Sequence, residues 1–271
     1  MGVSVSLLAS GSRGNCAVVA SSRTRILVDA GLSCRETFKR IRSLGERPDQ
    51  ISAILITHEH SDHVTGLQRL ASKLNVPVFL TEPTCHAWNR AMRDEEGKIP
   101  ELPKVEHFSS GRSFQIGDIA IQPFTIPHDA ADPVGYAFRA NGVKVAIVTD
   151  LGYMPELVKH HLREAQFVML ESNHDLDMLK VGPYPWYIKQ RVMSRTGHLS
   201  NHVVSEFFAD SEVFDGQARH LVLAHLSEQN NNPDLARLSA EEGLNRRPAE
   251  FAFRGELHIA SQRVPLGPFE L

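Results

Sequence analysis

Residues 54–66 read ILITHEHSDHVTG. An aliphatic run ends at Thr57, and His58, Glu59, His60, Asp62 and His63 follow almost without a break. The apolar residues predict a buried strand over 51–57. The polar run predicts a loop beyond its tip, leading into a helix with Leu67, Leu70 and Leu74 on one face. Residues two apart on an extended segment point the same way, so His58 and His60 can share one ion. Asp62 and His63 fall on the turn and helix start, where they can hold a second. Neutral imidazole and carboxylate suit zinc, manganese or iron. A lone histidine here would be an ordinary solvated loop residue; four ligand residues at this spacing point to a metal centre.

Two ions need more donors, and later strand ends offer them. His128 follows the run 119–126 in TIPHDAADP, Asp150 ends the run 143–150 in AIVTDLG, and His225 ends HLVLAH (220–225). Each is a ligand type where a hydrophobic run stops. Asp29, closing RILVD, is either a partner that orients a ligand histidine or a plain strand-end turn residue.

The remaining strand-like runs are 3–8, 16–20, 25–31, 77–80, 113–116, 135–140 and 167–172, with a hairpin expected over 250–259. Helix-like runs cover 35–45, 64–74, 155–165, 202–210 and 233–244, with Ser200-Asn201 suited to capping. The stretch 89–104 reads as a charged, exposed insertion. The mixed order suggests two sheets with helices outside, and one domain over 1–271 is expected.

Composition narrows the function. The 271 residues are 42% apolar, enough for a full core, and no 18-residue apolar run predicts a membrane span. The start, MGVSVSLLASGSRGN, does not read as a signal peptide. Cys16, Cys34 and Cys85 are odd in number and lack CxxC spacing, which fits a reducing cytoplasm. The net charge of -3 gives no general attraction to polyanions, so a nucleic-acid site would need a local basic groove.

HEHSDH, His128, Asp150 and His225, in this order, resemble the metallo-β-lactamase superfamily. The resemblance implies an α/β fold, an αβ/βα four-layer sandwich of two mixed β-sheets flanked by helices. It also implies two divalent metal ions, zinc or manganese. His58, His60 and His128 would hold the first, Asp62, His63 and His225 the second, and Asp150 would bridge. Such a pair lowers the pKa of a shared water and yields hydroxide as nucleophile.

The superfamily cleaves β-lactams, thioesters, lactones and nucleic-acid phosphodiesters, and fold alone does not choose among them. A thiolate leaves without a proton, whereas a sugar alkoxide benefits from a general acid. RTGHLSN (195–201) places His198 in a turn before a helix, and FVMLESNHD (167–175) places Glu171 at a strand tip. The pair is similar to the His–Glu pair of tRNase Z-like phosphodiesterases, which implies that His198 protonates the leaving oxygen while Glu171 holds it. With Asp62 they form the candidate catalytic set; their plainer reading is a helix-entry residue and a strand cap. His174 is a weaker candidate that could face a substrate phosphate.

LASGSRGNCAVV, ILVDAGLSCRE, ITHEHSDHVTGL, GPYPWYIKQRVMSRTGHLSN and LAHLSEQNNNP are similar to the YycJ/WalJ-like branch. That resemblance implies a cytoplasmic, manganese-supported 5′→3′ exonuclease on single-stranded DNA, linked to mismatch repair. Ser12, Arg13 and Asn15 of the GSRGN turn could meet a phosphate. Lys189, Arg191 and Arg195, with Trp186 and Tyr187, could wall a single strand or simply form a solvated helix. Asn230, Asn231 and Asn232 read as a polar loop without assigned role. The alternatives are an RNA-processing nuclease of the same fold, a glyoxalase II- or lactonase-like hydrolase, and a di-iron or binding protein. His60, where redox members carry glutamate, speaks against di-iron.

Overall fold

The computed structural model describes residues 2–271. They form two compact units that alternate along the chain. The first takes in the chain up to Thr125, with Ala130–Val134 and Gln262–Glu270; the second takes in Ile126–Asp129 and Gly135–Ser261, with Leu271.

The first unit carries β1 (Ser4–Ala9), β2 (Cys16–Ala20), β3 (Arg25–Val28), β4 (Ala53–Leu55), β5 (Val78–Thr81) and β6 (Val105–Phe108). They lie in this order in a mixed sheet: β1, β2 and β3 pair antiparallel, and β3, β4, β5 and β6 pair parallel. Its near edge is the last strand of the chain, Leu266–Glu270, antiparallel to β1. β7 (Phe114–Ile116) and β8 (Ile119–Thr125) pair as an antiparallel hairpin. β2 and β4 are buried at every position, which is why they read as unbroken apolar runs rather than alternating ones.

The helices of this unit are α1 (Cys34–Ser43), α2 (Ser61–Val64), α3 (Leu67–Leu74) and α4 (Glu82–Ala91). Ser33 caps α1 by accepting from the Glu36 amide, and Asn75 ends α3 in the left-handed conformation. Leu67, Leu70 and Ala71 of α3 bury against Leu27, Ile54 and Ile56. That packing anchors the loop between β4 and α3.

The second unit contributes β9 (Val134–Ala140), β10 (Val143–Val148), β11 (Phe167–Glu171), β12 (His220–Ala224) and β13 (Glu256–Ile259) to the second sheet. β9 and β10 are antiparallel, and β10 through β13 are parallel. Its helices are α5 (Glu156–Leu162), α6 (Leu176–Val181), α7 (Trp186–Val192), α8 (Asn201–Ala209) and α9 (Pro233–Asn245), with Ser200 capping α8 through the Val203 amide. The fold class is thus α/β with two mixed sheets and flanking helices, as the sequence implied.

Several local expectations fail. The hairpin over 250–259 does not form: β13 pairs in parallel with β12, and the strand after it, β14 (Leu266–Glu270), goes to β1. The helix expected over 64–74 is two, parted at Gly66. The Gly66 amide donates to the Ala30 carbonyl at 2.7 Å, and a side chain there would strike the Leu32 carbonyl at 1.9 Å. Residues 89–91 belong to α4 rather than to an exposed insertion. β6 and α6 are elements the pattern did not distinguish from loop, whereas the helix weighed around Lys189 forms as α7.

Candidate metal centre

The first unit brings one group of donors to the C-terminal ends of its parallel strands. His58 and His63 are 0% exposed, and their ring centroids lie 4.1 Å apart; His60 packs edge-on to His58 at 4.7 Å. The His63 Nδ1 lies 2.8 Å from Asp29 Oδ2. A carboxylate only accepts, so Nδ1 carries the proton and Nε2 keeps its lone pair. Asn15 Nδ2 then donates to His63 Nε2 at 3.0 Å and to Asp62 Oδ2 at 3.1 Å. The amide hydrogens of Asn15 are partial positive charges between two metal-type donors. The Thr57 hydroxyl is 3.0 Å from both Asp29 oxygens and 3.0 Å from His58 Nδ1. Its proton goes to Asp29, so it accepts from His58 Nδ1, and the lone pair of His58 lies on Nε2. Gly31 lets this loop close: a Cβ there would meet the Asp62 carbonyl at 1.7 Å.

In the second unit, Glu171 is the hub. It is fully buried at the end of β11. Its Oε1 accepts from His198 Nδ1 at 2.7 Å and from His225 Nδ1 at 2.9 Å. Its Oε2 accepts from the Leu151 and Leu199 amides at 3.0 and 3.1 Å. Asp150 Oδ1 sits 3.2 Å from His225 Nδ1 and 4.0 Å from His128 Nε2. His128 Nδ1 faces the Gly197 carbonyl at 3.3 Å, so it is also protonated on Nδ1. Asp150, Glu171, His198 and His225 can bring four donor atoms within 4.8 Å of one another. Both Nδ1 atoms there carry protons, however, so the quartet is a hydrogen-bond network rather than an ion cage.

Asp29, Asp150 and His225 share a backbone feature. Each follows a parallel strand in the left-handed region, with φ of 59°, 62° and 53°. That conformation costs a non-glycine residue about 1 kcal/mol or more. It turns the chain sharply at each strand tip and aims a ligand-type side chain beyond the sheet edge.

His58 and His63 in the first unit, beside Asp62, and His128 and His225 in the second, beside Asp150, thus each engage Nδ1 with an oxygen and keep Nε2 as a lone-pair donor. This donor set fits divalent metal ions. The beta-lactamase superfamily domain matches residues 24–226. Exodeoxyribonuclease YycJ of Bacillus anthracis is 40% identical over 265 residues, 98% of either chain. The chain belongs to the metallo-β-lactamase superfamily, in its YycJ/WalJ-like branch. Exodeoxyribonuclease WalJ of Streptococcus pneumoniae is 36% identical over 241 residues, 88% of this chain and 87% of that one. Among solved structures, the metallo-β-lactamase fold protein YhfI of Bacillus subtilis has a TM-score of 0.68 at 15% identity, over 98% of this chain and 100% of that one. With this membership and this donor set, the chain is a metal-dependent hydrolase. No helix among the described residues is long and apolar enough to cross a membrane.

Charge follows geometry in this metallo-β-lactamase site. Burial pushes the Glu171 carboxyl up, but the charge and hydrogen bond of His198, with the His225 bond, outweigh it and hold it low, at about 2. Burial pushes His198 down, and the Glu171 charge and hydrogen bond reverse that, leaving it raised. Burial drives His174 down to about 4.

The other candidates are placed variously. Ser12 and Arg13 are exposed on their turn, which Gln262 ties down through the Arg13 amide at 2.8 Å and the Gly14 carbonyl at 3.0 Å. Asn15 is buried among metal-type donors rather than open to a substrate. His174 is 2% exposed, and its buried Nδ1 has no hydrogen-bond partner. The basic wall is only partly there. Lys189 is buried and donates to the Lys180 carbonyl at 2.7 Å, Arg191 pairs with Asp129, and Arg195 stacks over Tyr153 at 4.2 Å. Trp186 and Tyr187 are 64% and 69% exposed.

Two supports escaped the sequence reading. In the sequence Thr57 reads only as a strand end. Asn231, read as a loop residue, is buried: it pairs with Asn201 and donates to the Ser172 and Asn173 carbonyls at 2.9 and 3.0 Å. Asn173 in turn donates to the His225 carbonyl at 2.8 Å. The only signal was the run of three asparagines after His225.

Proposed function

We propose that this metal-dependent nuclease is a 5′→3′ exonuclease on single-stranded DNA, acting in the cytoplasm with two divalent ions, zinc or manganese. The observation that carries the reading is the His198–Glu171 bond of 2.7 Å, because a phosphodiester's alkoxide leaving group benefits from a proton donor. Two related proteins named exodeoxyribonucleases support it over most of the chain.

In this reading His58, His60 and His128 would hold one ion and Asp62, His63 and His225 the other, with Asp150 as a further carboxylate ligand. When bound, the ions supply an activated hydroxide and positive charge for the scissile phosphate. The chain's own residues do the rest. Asp29, Thr57, Glu171 and the Gly197 carbonyl fix the tautomers of the ligand histidines. Glu171 keeps the His198 proton on Nδ1 and raises the ring's proton affinity, so that a protonated His198 gives up the Nε2 proton to the leaving oxygen. Ser12 and Arg13, exposed on their turn, are the proposed phosphate contacts, and His174, buried at 2% exposure, is set aside with Asn15. Both units act as one domain, a reading supported by the superfamily match running from one into the other.

The test is digestion of 5′-phosphorylated single-stranded DNA and RNA by chelator-stripped protein with manganese or zinc restored. Mononucleotide release from the DNA 5′ end is expected. Preference for RNA would favour the RNA-processing alternative, and turnover of lactones or S-lactoylglutathione without nuclease activity would favour the small-ester one.

A further inference from the structure

The opposite ends of β12 and β13 carry a second cluster of ligand types. His220 opens β12 and lies in register with Glu256, the first residue of the neighbouring parallel strand; His258 is two residues further along β13, on the side of Glu256. His225 follows β12 five residues beyond His220, roughly 16 Å along the strand, so this cluster is separate from the centre described above.

Three donor atoms form one triangle. His220 Nδ1 is 3.2 Å from His258 Nε2 and 3.5 Å from Glu256 Oε2, and His258 Nε2 is 3.3 Å from the same Glu256 oxygen. Metal–ligand distances of about 2.0–2.2 Å in tetrahedral geometry place neighbouring donors about 3.3–3.5 Å apart. The triangle is already one face of such a tetrahedron. Every neutral arrangement of protons leaves a repulsive pair within it. A proton on either imidazole nitrogen leaves the other nitrogen and the carboxylate facing each other as two acceptors. Protons on both set two N–H groups against each other. A cation meets all three at once. The imidazoles are mostly buried, with 19% and 23% of their side chains exposed, while Glu256 is 71% exposed, so the fourth position opens to solvent. Arg237 is a positive charge that acts on His258, and its Nη1 donates to the Leu257 carbonyl at 3.1 Å.

We propose that His220, Glu256 and His258 form an auxiliary zinc site, with two imidazoles, one carboxylate and water as ligands, that clips the edge strand β13 to β12. Two histidines and one carboxylate with an open position are a donor set that zinc accepts.

The test counts zinc per chain in full-length protein, by elemental analysis after zinc loading and removal of excess, for the unchanged protein, His220→Ala, His258→Ala and Glu256→Gln. Each variant should hold about one zinc fewer per chain while keeping its hydrolytic activity. Because Glu256 is exposed, Glu256→Gln leaves the fold intact even if a histidine variant does not. Cobalt substitution adds a second readout: the visible bands of a tetrahedral site should weaken in Glu256→Gln relative to the unchanged protein. Equal zinc content and equal cobalt spectra in Glu256→Gln and unchanged protein would overturn the proposal.

Discussion

Glu171 joins two tasks in one carboxylate. Its Oε1 holds the Nδ1 protons of His198 and His225, so one residue sets the tautomer of a metal-type donor and of the proposed acid. Replacing His198 with alanine should lower activity on DNA by about 10²–10⁴-fold while leaving metal content unchanged. Loss should be far smaller on a nitrophenyl phosphodiester, whose leaving group needs no proton; equal loss on both, from steady-state rates, would speak for a positioning role. His174 belongs to the same scale. Its folded-state pKa is depressed to about 4 by burial, so the fold favours the neutral ring. The resulting stabilisation is complete above the unfolded value near 6.5 and is lost as pH falls from there towards 4. The full effect is roughly 3 kcal/mol. Urea midpoints at about pH 7.5 and about pH 5 should fall less in His174→Gln than in the unchanged protein; an equal fall would show that another group carries the pH dependence.

At the scale of elements, ligand-type residues gather because strand tips turn sharply. Asp29, Asp150 and His225 take left-handed backbone at the ends of β3, β10 and β12. Gly31 makes room for the loop carrying Asp62. Gly31→Ala should therefore cost about 1–3 kcal/mol and weaken metal binding, read by thermal melting and metal titration. An unchanged melting temperature would mean that the loop relaxes freely. This scale also shows what was legible. Strand tips were readable because an apolar run stopping at a single Asp, Glu or His is a local pattern. The pairing of β13 was not, since a run centred on Gly255 between two apolar stretches looks like a hairpin, whereas Ala249–Phe251 forms a single helical turn and β13 takes the distant β12 as its partner. Lys189 looked like a solvated helix residue because its buried acceptor, the Lys180 carbonyl, lies on the preceding helix. Asn231 looked like a loop residue because its partners, Asn201 and the Ser172–Asn173 backbone, are distant in sequence. Donor types were local information, whereas the hydrogen bonds that orient them were not.

For the whole molecule, superfamily membership and the α/β architecture followed from motifs spread over most of the chain. The ion count, the polymer cleaved and its polarity rest on the proposal. Bound metal should stabilise the folded protein. Metal at about 100 times its dissociation constant should add about 2.7 kcal/mol, and chelation should remove it. Melting curves with and without chelator check this, and coincident curves would contradict metal binding to the folded state.

The most direct measurement follows 5′-phosphorylated single-stranded DNA incubated with chelator-stripped protein, manganese restored, beside Asp62→Ala. The account predicts stepwise nucleotide release from the 5′ end, dependent on metal and absent in the variant. Intact DNA with a full complement of bound metal, or cleavage undiminished in Asp62→Ala, would contradict it.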